Sequence, residues 1–150
     1  MAKTPGTIVI GIGSILRTDD ATGVRVVEQL EKQGVPEKVR LLFGELAGLD
    51  LIKYFDYEKV ILVDCATMKT PPGTIKVFSP DDVIFSEIKG SVSTHNMGLQ
   101  ETIKLAKEMK EDTDITIVGI EPFNTKFGLE LSPEMKKVIP EAVETVKRLL

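Results

Sequence analysis

Residues 59–64 read KVILVD, four aliphatic residues set between a lysine and an aspartate. A run this short, with no polar–apolar alternation, is the pattern of a strand covered on both faces. Strands of that kind belong to parallel sheets flanked by helices, since a half-wet antiparallel sheet alternates. Outward from this run the pattern repeats. Thr7 to Ile10 form a β-branched strand upstream, Val39 to Phe43 a second one, and Thr74 to Phe78 another after the Pro71-Pro72-Gly73 turn. Ile115 to Ile120 close the series. Helical patterns fill the gaps: Thr22 as cap to about Lys32, with Gly34 and Pro36 as stops, then Gly48 to Tyr54 and about Asn96 to Met109. Met135, Val138, Ile139, Ala142, Val143, Val146 and Leu150 form a last apolar stripe, in which Pro140 predicts a kink or restart. The alternation predicts an α/β fold, a three-layer sandwich with a mostly parallel twisted sheet and helices on both faces. At 150 residues, one domain spanning 1–150 is expected.

Composition narrows the function classes. Apolar residues make up 42% of the chain and charged residues 28%, the balance of an ordinary globule. A net charge of −4, with lysines and arginines scattered along helices, argues against a nucleic-acid surface. No apolar run approaches membrane-spanning length, and no cleavable leader is visible. The single cysteine, Cys65, excludes an internal disulfide and a Cys-x-x-Cys motif. A cytoplasmic protein without nucleic-acid or membrane partners is expected.

In doubly wound folds the chemistry sits where strand carboxyl ends meet their loops. The first strand runs into Gly11-Ile12-Gly13 and on to Asp19 and Asp20, the third ends at Asp64, and His95 precedes the long middle helix. A Gly-x-Gly after a strand suggests a nucleotide phosphate. The position for the third glycine of that fingerprint is Leu16, however, and the aspartates would repel a pyrophosphate. The glycines are read as turn formers. Asp19 and Asp20 have a plain alternative, favouring a helix N-terminus, although Thr22 already serves as a cap. Asp64 follows a buried run and needs pairing, hydrogen bonding or a cation. His95 is the chain's one histidine, at a helix start, where the dipole favours the neutral, ligating ring. Two acids and an imidazole suit Ni, Zn, Co or Mn with sites left open. The rival, Cys65 as nucleophile with His95 as base, meets the pleat, which turns residues 64 and 65 to opposite faces. The order Asp20-Ala21-Thr22-Gly23 is that of an aspartic-protease loop, but no second such loop accompanies it.

The blocks GIGSILRTDDATGVRV (11–26), VILVDCATMKTPPGTI (60–75), SPDDVI (79–84), STHNMGL (93–99), IVGIEPF (117–123) and LSPEMKKVIPEAVETV (131–146) resemble the [NiFe]-hydrogenase maturation endopeptidases across nearly the whole chain. SPDDVI and STHNM are most similar to the branch that processes the hydrogenase of formate hydrogenlyase. The resemblance implies a phosphorylase/hydrolase-like fold and an endopeptidase, of aspartic type in its use of acids. Its implied action is to remove the C-terminal extension of the hydrogenase large subunit precursor after nickel insertion. It further implies that nickel carried by that precursor is gripped by Asp20, Asp64 and His95, which would be both metal-binding and catalytic. Another divalent ion would fit the isolated protein. Three departures from the family pattern stand out: Ser14 where Asn is usual, Ala21 where Gly is usual, and Cys65 where Ala is common. A non-proteolytic nickel-binding assembly adaptor is the alternative reading. A nucleotide-dependent redox enzyme is the second rival.

Overall fold

The computed structural model describes residues 3–44, 51, 53–82, 104, 108 and 114–150. Among them run strands β1 (Thr4–Ile12), β2 (Val39–Gly44), β3 (Tyr57–Cys65), β4 (Ile75–Phe78) and β5 (Asp114–Ile120), with helices α1 (Thr22–Gln33) and α2 (Pro133–Leu149). The five strands form one sheet in the order β2-β1-β3-β5-β4. β1 pairs in parallel with β2 and β3, and β3 with β5, so Ile10 lies across from both Leu42 and Leu62. β4 is antiparallel to β5. The link from Cys65 to Ile75 explains this reversal, since a parallel return needs a crossover of a dozen or more residues. The chain leaves β3 at the carboxyl rim, turns through Pro71-Pro72-Gly73, and can only run back.

Alternation along the strands divides the core in two. Val9, Ile61, Val63, Val118 and Ile120 pack against Val26, Val27 and Leu30 of α1 and Met135, Ala142, Val143 and Val146 of α2. Their neighbours Ile8, Ile10, Val60, Leu62 and Ile117 point the other way, against Leu51, Phe55 and Met68. Leu51 is helical, as are Lys104 and Glu108. The rest of the helix expected from Asn96 to Met109, and most of that from Gly48 to Tyr54, lies outside the described residues. The sheet is the mostly parallel α/β sheet that the apolar runs predict.

Two local expectations are corrected. Thr22 does not cap α1: Ala21 holds the N-cap position without a side-chain cap, and the Thr22 hydroxyl donates backward to the Asp19 carbonyl. A 3-10 turn over Thr18–Ala21 occupies the place where a capping loop was expected. Pro140 neither ends nor restarts α2, which is continuous from Pro133 to Leu149. Pro140 and Lys136, whose carbonyl it leaves without an N–H, are both exposed, so water can serve that oxygen. Ser132 caps the helix by accepting the Met135 amide, with Pro133 just inside it.

Candidate active site

β2 and β3 lie on opposite sides of β1, which makes the carboxyl ends of β1 and β3 the topological switch point of the sheet. β1 hands the chain to the loop that carries Asp20, and β3 delivers Asp64 close enough to feel its charge. Two glycines make this approach close. Gly13 has φ +148, and a Cβ on it would come within 1.9 Å of the Asp20 carbonyl oxygen. A Cβ on Gly23, in the first turn of α1, would stand 2.2 Å from the Val63 carbonyl and 2.6 Å from that of Ile12. Gly23 therefore seats the helix on the two strands, the task of the third glycine in a dinucleotide loop. The turn so formed is filled by carboxylates.

Asp20 and Asp64 are both buried, at 0% and 1% exposure. Asp20 Oδ2 accepts the Ser14 amide at 2.9 Å. Asp64 Oδ1 accepts the Cys65 amide at 2.8 Å, while Asp64 Oδ2 has no hydrogen-bond partner among the described residues. Burial in the first place, and the charge of Asp20 in the second, push the Asp64 carboxyl well above the usual carboxylate range. A cation between the two would relieve both costs, and paired carboxylate oxygens are donors that suit a divalent ion. Among the described residues no group of three His, Cys, Asp or Glu side chains is placed to hold a metal. His95 lies outside the described residues.

The adjacent acid does something else. Asp19 is fully buried, and its carboxylate accepts four hydrogen bonds, from the amides of Phe123, Asn124 and Ser132 and from the Ser132 hydroxyl, at 2.8–2.9 Å. Every donor comes from the loop between β5 and α2. Asp19 thus fastens that loop to the Asp20 loop rather than capping its own helix, and its oxygens are too engaged to act as an independent base. Glu121 works in the same way on the other side. Its carboxylate accepts the Met68 and Thr70 amides and the Thr70 hydroxyl, tying the β3–β4 link to the end of β5. Neither anchor was expected from the sequence. Glu121 follows the apolar run of β5 just as Asp64 follows that of β3, so the same strand-end reading would have marked it.

The departures from the family pattern have physical answers here. The Asp20 loop is held through the Ser14 amide, which any non-proline residue supplies. Ala21 has φ −80, so no glycine is required. β3 continues through Cys65, which is buried, and burial first with the nearby acids second pushes its thiol well above its usual range. Such a thiol is no nucleophile. Cys65→Ala is expected to keep catalytic activity within about twofold of the parent, and native Cys65 to resist iodoacetamide until the chain unfolds. An inactive but folded alanine variant would restore the thiol mechanism.

A mostly parallel α/β sheet with a buried acid pair at its switch point defines the scaffold of an α/β enzyme. Comparison with known proteins specifies which. The model of the family described as HycI, hydrogenase maturation protease, matches residues 24–149. The hydrogenase 2 maturation protease of Escherichia coli (strain K12) is 31% identical over 143 residues, covering 93% of this chain and 87% of that protein. The hydrogenase expression/formation protein HupD of Rhizobium leguminosarum bv. viciae is 33% identical over 150 residues, covering 97% of this chain and 74% of its own length. Among solved structures, the hydrogenase maturating endopeptidase HybD of E. coli superposes with a TM-score of 0.78 at 31% identity, over 94% of this chain and 89% of that one. The chain belongs to the hydrogenase maturation protease family, and it is a peptidase.

Proposed function

We propose that this peptidase removes the C-terminal extension of a [NiFe]-hydrogenase large subunit precursor once nickel has been inserted. In this reading Asp20, Asp64 and His95 recognise the nickel that the precursor carries in, and all 150 residues act as one maturation-protease domain. The observation that carries it is Asp64 Oδ2, a fully buried carboxylate oxygen without a donor among the described residues, beside a second buried acid. Docking a precursor that brings a divalent ion satisfies this oxygen. Docking one without it leaves this oxygen as unsatisfied as in the free protein, so an unloaded client gains none of that binding energy. The acid pair thereby discriminates between loaded and unloaded clients before any bond is cut. Once the client is gripped, the scissile bond is held in a fixed position against attack by water.

The segments SPDDVI and STHNMGL support assignment to the branch that serves formate hydrogenlyase, and the family model carries the HycI description. The curated relatives include a hydrogenase 2 protease and HupD, so precursors of different hydrogenases must be compared directly. The free, buried cysteine suits a reducing cytoplasm, where we place the reaction. No helix among the described residues is long and apolar enough to cross a membrane.

The test is to incubate the purified protein with nickel-loaded and nickel-free precursors and follow their masses. The loaded precursor is expected to lose its C-terminal extension, and the nickel-free one to stay intact. Equal shortening of both would remove nickel recognition. Binding without shortening would favour the adaptor reading.

A further inference from the structure

Six large apolar side chains are strongly exposed among the described residues: Ile15, Leu16, Val77, Phe127, Leu129 and Leu150. Four of the six lie on two loops that touch. Ile15 and Leu16 directly follow Ser14, whose amide holds Asp20. Phe127 and Leu129 flank Gly128 on the β5–α2 loop, 86% and 72% exposed. Gly128 donates to the Leu16 carbonyl at 3.0 Å and accepts from the Thr18 amide at 3.1 Å, forming a parallel bridge opposite Arg17. Phe127 and Leu129 thus flank the residue at which the two loops join, next to Leu16 and Thr18. The Arg17 guanidinium lies 6.0 Å from the Phe127 ring centre while its Nε donates to the Thr125 carbonyl, which fixes the ring against the loop. Asp19, with its four bonds, locks the two loops as a unit.

A contiguous, held-out apolar patch of this kind marks a surface made to be covered. We propose that Ile15, Leu16, Phe127 and Leu129 form the rim on which an apolar surface of the precursor docks, beside the acid pair. The inference rests on the precursor-processing reading above. Contiguity with the site selects the occupant: Ile15 and Leu16 follow Ser14, whose amide bonds Asp20, so a client seated at Asp20 lies beside this rim. A second copy of this chain seated there would instead cover the Asp20 loop and bar the client.

The experiment compares the parent, a Phe127→Ser/Leu129→Ser double variant and Val77→Ser as a control for exposed apolar surface elsewhere, each assayed for processing of nickel-loaded precursor. The double variant is expected to raise KM about tenfold or more with kcat within about twofold, because uniform binding energy is lost, while Val77→Ser leaves both unchanged. Melting temperatures are expected to match, since the residues removed are exposed. Should the double variant melt early, Phe127→Trp/Leu129→Met keeps the apolar surface and is expected to retain the parental KM. A working parent beside a double variant of unchanged KM overturns the proposal alone. A parent that neither binds nor shortens the precursor removes the functional reading together with it. Sedimentation that reveals a parental dimer lost in the double variant assigns the surface to a second copy and also overturns it.

Discussion

Asp64→Asn is expected to abolish processing of the nickel-loaded precursor while making the metal-free protein more stable, by about 1–2 kcal/mol at neutral pH. The two effects have one cause. Asp64 is a carboxylate at the end of a fully buried strand, next to Asp20, with one oxygen lacking a donor among the described residues. Its ionised form is therefore disfavoured in the folded, metal-free protein. Asparagine keeps the acceptor for the Cys65 amide and removes the charge, and its amide can donate toward Asp20. On the proposed nickel-recognition reading, the same change takes away a ligand for the client's cation, so turnover is expected to fall by about 10³-fold or more.

The pH dependence fixes the sign. Folded Asp64 holds its proton to higher pH than it does in the unfolded chain, so folding takes up a proton between the two values. The stability linked to this group is complete below the ordinary carboxylate pKa and is lost as pH rises through the raised folded value. A neutral asparagine side chain has no such loss, so the advantage of the variant is expected to grow from about pH 5 to about pH 8. Urea denaturation at both pH values measures it. A variant less stable than the parent at the higher pH, or an advantage that shrinks as pH rises, would show that Asp64 is satisfied without a cation.

Most of the sheet was legible because buried parallel strands announce themselves by composition. KVILVD needs no neighbour to be recognised as a strand, and each of the five runs in the sequence became a strand with no end moved by more than three residues. The helix start was less legible. Thr22 has the residue type of a cap, but Gly23 must press against the Val63 and Ile12 carbonyls, and that contact pulls the preceding residues into a 3-10 turn. Sheet packing outranked the local cap. Pro140 removes an N–H wherever it faces, but it and Lys136 lie off the apolar stripe, where water can serve the freed carbonyl and the helix continues. For the candidate site, a strand-end acid after an apolar run marked Asp64, and the loop marked the Asp19-Asp20 pair, from which only the family resemblance singled out Asp20. The division of labour between Asp19 and Asp20 was invisible, because it depends on donors at positions 123, 124 and 132, about a hundred residues away. No local pattern encodes so distant a partner.

That division yields the second large effect. Asp19→Ala is expected to destabilise the protein by about 4 kcal/mol, whereas Asp20→Ala leaves its stability within about 1 kcal/mol of the parent. Removing the Asp19 carboxylate strands the Phe123, Asn124 and Ser132 amides and the Ser132 hydroxyl, each at about 1–3 kcal/mol if water cannot reach it. Asp20 accepts the Ser14 amide but also carries charge that opposes Asp64, so the two contributions offset each other. Asp19→Asn should fall between, since its amide oxygen can keep some of the four donors while its NH₂ group faces the others. Both acids should matter for processing, for different reasons. On the proposed reading, loss through Asp20 is a loss of ligand and is expected to persist in a fully folded variant. Loss through Asp19 follows from the loosened β5–α2 loop, so it should be accompanied by increased amide exchange across residues 122–132 and partly reversed by conditions that restabilise the fold, such as added sulfate. If Asp19→Ala proves as stable as Asp20→Ala, with amide exchange over 122–132 unchanged, the clamp does not hold the loops together, and the two neighbouring acids must share one task.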